Sequence, residues 1–142
     1  GATLRAALDP LLRRLVEGFW DKGDASVLDK VFATNFVDHN PMPGQAPGLE
    51  GLKQAMIALR AAFSSSRTTV DDMVAEGDKV AWRWTFHAAH TGSLMGIPAT
   101  GKQIMLTGIT IDRIAGGKIV ERWHQLDMMG LMQQLGAIPA RA

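Results

Sequence analysis

Apolar positions in the first half of the chain recur at helical spacing. Asp9 and Pro10 read as an N-cap and a first-turn proline, opening a helix on which Leu11, Leu12, Leu15, Val16 and Phe19 form one stripe. Residues before Asp9 can add a short helical arm. "DKGD" (21–24) ends that helix, and "ASVLDKVFA" (25–33) predicts a second, short one. "NFVDHNPMPG" (35–44) predicts a short strand running into a loop stiffened by two prolines. A third helix, "LEGLKQAMIALRAAF" (49–63), carries Leu49, Leu52, Met56, Leu59 and Phe63 at helical spacing.

From Arg67 the period becomes two. "RTTVDDMVAEGDKVAWRWTFHAAHTG" (67–92) predicts two strands around a Gly77-Asp78 turn, and "KQIMLTGITIDRIAGGKIVERWHQL" (102–126) two more around Gly116-Gly117. A Gly/Ser/Pro/Thr-rich loop, Thr91 to Gly101, separates the hairpins. "DMMGLMQQLG" (127–136) fits a short helix with Asp127 as N-cap and Gly136 just past its end. Helices followed by antiparallel strands imply an α+β fold, with helices covering one face of a curved antiparallel sheet. A chain of 142 residues with this apolar content is expected to form a single domain over 1–142.

Charge and composition narrow the partners. The formal charge is +1 with no basic run, which provides neither the electrostatic footprint of a nucleic-acid binder nor a polybasic membrane patch. A small, weakly charged partner is expected. The absence of cysteine removes disulfides, thiolate nucleophiles and thiolate metal sites, and leaves a cytoplasmic location as the default. The N-terminal "ATLRAALDPLLRRLVEGFW" is arginine-rich and amphipathic like a transit peptide, but Asp9 and Glu17 interrupt it, and it reads as part of the fold. No apolar run reaches the roughly 18 residues needed to span a bilayer, so no membrane partner is expected.

The chemistry on offer is sparse. Histidines stand at 39, 87, 90 and 124, and His87 and His90, three apart on one strand, point to opposite faces. No metal-ligand spacing, Gly-rich phosphate loop or Gly-x-Ser-x-Gly elbow is present, and tyrosine is absent, so neither metal nor cofactor is expected. Acid–base chemistry remains. His124 lies within a strand of bulky residues, where an imidazole serves either as a general base near neutral pH or as a structural core histidine. Asp127 is better explained as the cap of the last helix. Trp82, Trp84 and Phe86 alternate along one strand and form an aromatic face that packs the core or lines an apolar pocket, with His90 on the same face nearer the mouth. Methionines, among them Met42, Met56 and Met95, suit a malleable cavity.

Three segments, "FVDHNP" (36–41), "GSLMGIPATGKQI" (92–104) and "GGKIVERWHQLDMMGLMQQLG" (116–136), together resemble the SnoaL-like polyketide cyclase (ester cyclase) family of the nuclear transport factor 2-like superfamily. The resemblance covers nearly the whole chain. It implies a cone-shaped α+β barrel, a bent antiparallel sheet wrapped around a long helix and open at one end into a deep, mostly apolar pocket. It further implies a homo-oligomeric enzyme that closes a polyketide ring by intramolecular aldol condensation without a cofactor, using a carboxylate base. The family's catalytic aspartate falls on His124 here, its pocket asparagine on Asn40 with His39 alongside, and its strand-to-helix aspartate on Asp127. A glutamine and a histidine on the preceding strand fall on Gly108 and Thr110.

The expected catalytic set is therefore His124 as base, Asn40 or His39 as donors to an enolate oxygen, and Asp127 at the corner. Phe19, Trp82, Trp84, Phe86, His90, Met95, Gly108, Thr110 and Arg122 are the expected pocket residues, with Arg122 available to a carboxylate or ester oxygen. The ligand is expected to be a mainly apolar carbonyl compound. Isomerase or dehydratase chemistry and noncatalytic binding are the alternatives, whereas epoxide hydrolysis would want an Asp-Arg-Asp set that the expected pocket face lacks. Two registers are compatible with the last hairpin. A two-residue Gly116-Gly117 turn pairs His124 with Ile109, and a three-residue turn with a bulge pairs it with Gly108 and Arg122 with Thr110. Arg83, Thr85 and His87, opposite the aromatic row, are expected to face solvent or a second subunit, and at least a dimer is expected.

Overall fold

A computed structural model describes residues 2–139, with residues 2–5 and 7 described by their backbone alone. Helix α1 spans Ala2–Arg13 and continues as a π-helical segment over Arg14–Asp21. Asp9 is therefore no N-cap, and Pro10 lies inside the helix, where it lacks the amide for one backbone bond. The upstream turns are held because Leu8 is fully buried and joins Leu12, Val80 and Trp82 in one cluster. The predicted stripe of Leu11, Leu12, Leu15, Val16 and Phe19 is buried throughout.

Helix α2 is Val27–Val31, strand β1 is Phe32–Asp38 and helix α3 is Gly48–Ala61. Phe63 belongs to the next strand rather than to the α3 stripe, since β2 begins there and runs Phe63–Glu76 with a distortion after Ser64 where Ser65 has φ 51°. Strands β3 (Lys79–His90), β4 (Gln103–Ala115) and β5 (Lys118–Leu126) and helix α4 (Met128–Gln134) complete the order. The sheet runs β1-β5-β4-β3-β2. Its β2 to β5 portion is antiparallel as expected, but β1 pairs parallel with β5, so the sheet is mixed at that edge. The helices bury Leu15, Phe19, Leu28 and Met56 against its concave face. No helix of the described residues is long and apolar enough to cross a membrane.

The β4–β5 register differs from both expected ones. The Gly116-Gly117 turn has two residues, with Ala115 opposite Lys118, and both glycines have φ near 60–77°, as a type I′ turn requires. The register then shifts between Arg113 and Ile114, leaving Val120 as an extra residue on β5. Beyond this bulge His124 lies opposite Thr110, Arg122 opposite Asp112 and Leu126 opposite Gly108.

Candidate active site

The concave face, π-helical segment, α3 and two loops enclose a cavity of about 490 Å³. Trp20, Trp82, Trp84, Phe86, Leu106 and Leu59 supply apolar wall, while the 42–46 and 93–95 loops form its lips. Polar groups converge from β1, β4 and β5, in the form of Asp38, Thr110, Arg122 and His124. An apolar cavity with a few convergent polar groups is what a small-molecule site requires.

Asp38 and His124 form the centre of this polar cluster. His124 Nε2 lies 3.3 Å from Asp38 Oδ1, and their side chains are 17% and 4% exposed. Asp38 Oδ1 also accepts the Asn40 amide proton at 3.0 Å, and Oδ2 accepts Gln45 Nε2 at 2.9 Å. Burial raises the Asp38 acid, but the hydrogen bonds from His124, Gln45 and Asn40 outweigh it and bring the carboxyl down to about 2. An ionised Asp38 accepts a proton from Nε2, so it selects the tautomer whose Nδ1 carries a lone pair. Nδ1 has no protein partner among the described residues.

Arg122 forms the second feature. Its Nε and Nη2 donate to Asp112 Oδ1 and Oδ2 at 2.7 and 3.0 Å, and Trp82 Nε1 donates to the same Oδ2 at 2.9 Å. The guanidinium lies 5.0 Å from the Phe32 ring centroid and 5.9 Å from that of Trp82. Nη1 has no hydrogen bond to the protein among the described residues, so its protons are free to meet a ligand. Arg122 and Asp38 both line the cavity, but Asp112 does not. Asp112 is fully buried and cannot reach a water in the cavity.

The expected site residues divide. Trp82, Trp84, Phe86, Met95, Thr110, Arg122 and His124 line the cavity. Phe19 does not, being a core residue that meets Trp20 edge-on at 4.9 Å, and Trp20 lines the wall in its place. His90 is not at the mouth but fully buried, its Nδ1 accepting the Thr100 amide proton at 3.2 Å and so fastening the 91–101 loop. Gly108 opens no space for substrate, because a Cβ there would stand 2.2 Å from Trp84 Cζ2 and the indole fills the gap. His39 faces outward, stacked on Trp123 at 4.6 Å and paired with Glu121 at 2.6 Å. Asn40 spends its carbonyl on the His124 backbone amide at 2.9 Å, and Asp127 caps α4 through Gly130 N at 2.9 Å.

Asp38 and Gln45 are the residues the sequence reading missed. Asp38 had a usable signal, for on β1 it alternates in phase with buried Phe36 and so points inward. Gln45 lies in an irregular loop and had none. Among the described residues no group of three or more His, Asp or Glu side chains is arranged to hold a metal ion.

The model of the SnoaL-like polyketide cyclase family matches residues 10–135. The aklanonic acid methyl ester cyclase DauD of Streptomyces sp. (strain C5) is 30% identical over 131 residues, covering 89% of this chain and 80% of its own. Its counterpart DnrD of Streptomyces peucetius is 29% identical over 132 residues, covering 89% and 88%. The solved structure of TsrD from Streptomyces laurentii superposes with a TM-score of 0.85 at 31% identity, over 94% of this chain and 98% of that one.

Proposed function

From the premise that this chain belongs to the SnoaL-like polyketide cyclase family, we propose that it is a cofactor-independent enzyme that removes an acidic proton beside a carbonyl of a mainly apolar polyketide and closes a ring by aldol addition. The observation that carries the reading is Asp38 Oδ1 at 3.3 Å from His124 Nε2 on the wall of an apolar cavity, with Nδ1 free of any partner among the described residues. In the first step the C–H bond breaks, the proton passes to His124 Nδ1 and the electron pair becomes an enolate. Asp38 stabilises the imidazolium so formed. Arg122 Nη1 is the donor for the enolate oxygen, and the Thr110 hydroxyl, which already accepts Trp84 Nε1 at 3.0 Å, keeps its own proton to donate. The enolate carbon then attacks a second carbonyl, a C–C bond forms, and the alkoxide recovers the proton from Nδ1. These donors replace Asn40 and His39, whose side chains are engaged elsewhere.

The same reading includes a homodimer. Val74, Ala81, Ile111 and Trp123 form one row across the convex face, with Ile109 beside it, and Val74, Ile109 and Ile111 are 65%, 54% and 38% exposed. An apolar row of this kind supports a subunit contact.

The test is incubation with aklanonic acid methyl ester, taken from the relatives' names, and with simpler β-keto esters. Wild-type protein is expected to yield a ring-closed isomer of unchanged mass, and His124→Ala roughly a hundredfold less. Equal yield from the variant would refute the role of His124.

A further inference from the structure

Gln45 stands on a lip of the pocket rather than on the sheet, yet its amide reaches the carboxylate that orients the base. Nε2 donates to Asp38 Oδ2 at 2.9 Å, and Oε1 accepts the Met42 amide proton at 3.0 Å. The Gln45 amide in turn donates to the Met42 carbonyl at 2.9 Å. Both ends of the side-chain amide are thereby used, which fixes its orientation with nitrogen toward Asp38. The loop that carries it has a defined seat. The Ala46 carbonyl rests where a Cβ on Gly51 would come within 1.6 Å, so the start of α3 must be bare there, while Gly44 turns the chain with φ 81°.

Asp38 has two oxygens, and only Oδ1 meets His124, at the long separation of 3.3 Å. Rotation of the carboxylate would change which oxygen faces the imidazole and how well. Gln45 opposes that rotation from the far side by holding Oδ2.

We infer that Gln45 is a positioning residue through which the seated 41–47 loop sets the Asp38–His124 pair, an inference that rests on that pair being the base. The side-chain amide fixes the carboxylate, and the carboxylate fixes the imidazole tautomer with Nδ1 free.

The experiment is ring ¹⁵N NMR of His124 in the ligand-free full chain, comparing wild type with Gln45→Met and Gln45→Leu. Both side chains fill the space without a donor for Asp38, and neither adds a charge beside the imidazole. Wild type is expected to hold the Nε2–H tautomer, and both variants to lower the tautomer ratio by about fivefold or more, the factor one hydrogen bond of ordinary net strength supplies. A loop staple without positioning function would leave the ratio unchanged, and an unchanged ratio in the two folded variants overturns the inference. Activity separates this failure from that of the broader reading. Loss of cyclisation in His124→Ala together with unaltered tautomers in the Gln45 variants rejects only the positioning role of Gln45, while undiminished cyclisation in His124→Ala rejects the base itself.

Discussion

Asp38 keeps its charge in a place that desolvates it, and three donors account for this. Burial alone would raise its acid, whereas His124, Gln45 and the Asn40 amide hold it at about 2, below the ordinary carboxylate value near 3.9. A depressed folded value stabilises the protein above the unfolded value, and that contribution is lost as pH falls through the folded one. Wild type should therefore lose at most about 2 kcal/mol between roughly pH 5 and 2 from this group, less where pocket water screens it, and Asp38→Asn should show a shallower acid limb in urea melts. Asp127 makes a contrasting prediction. Its carboxylate serves the first turn of α4, so Asp127→Ala should cost about 1 kcal/mol in the same melts and leave turnover within about twofold. The sequence exposed this difference, because an aspartate ahead of "MMGLMQQLG" reads as a cap. It concealed the outward turn of His39, which is set by Trp123 and Glu121 far along the chain.

At the scale of the element, strand β5 decides which side chains meet. The extra residue at Val120 changes the partner of every later position, bringing His124 opposite Thr110 rather than Ile109 or Gly108. Nothing in residues 119–126 marks the bulge, since both of their faces mix apolar and polar side chains. The gain is the Asp112–Arg122 pairing, an ion pair fully enclosed on the aspartate side. Asp112→Ala would leave a buried guanidinium uncompensated and is predicted to destabilise by about 3–5 kcal/mol, measured by equilibrium denaturation. The glycine at 108 was visible in the sequence, but its partner was not. Trp84 lies one strand away and covers it with an indole, so the missing side chain accommodates protein rather than ligand.

Across the whole molecule, helical stripes followed by two hairpins were enough to read an α+β fold with helices on one face of a bent sheet. The parallel docking of β1 on β5 was not readable, because it joins segments about eighty residues apart and no local pattern encodes it. That docking matters most for the site, as it carries Asp38 and Asn40 to His124. The convex face supplies a prediction of its own. Ile111→Glu, at the centre of the exposed apolar row, should convert a dimer into monomer in light scattering while leaving the fold intact. Proton abstraction by His124 can be followed before any ring closes, as the rate at which solvent deuterium enters the acidic C–H position of a bound β-keto ester at neutral pH. Exchange is expected to be rapid in wild type and roughly a hundredfold slower in His124→Ala. Equal exchange rates in the two proteins would rule out His124 as the base.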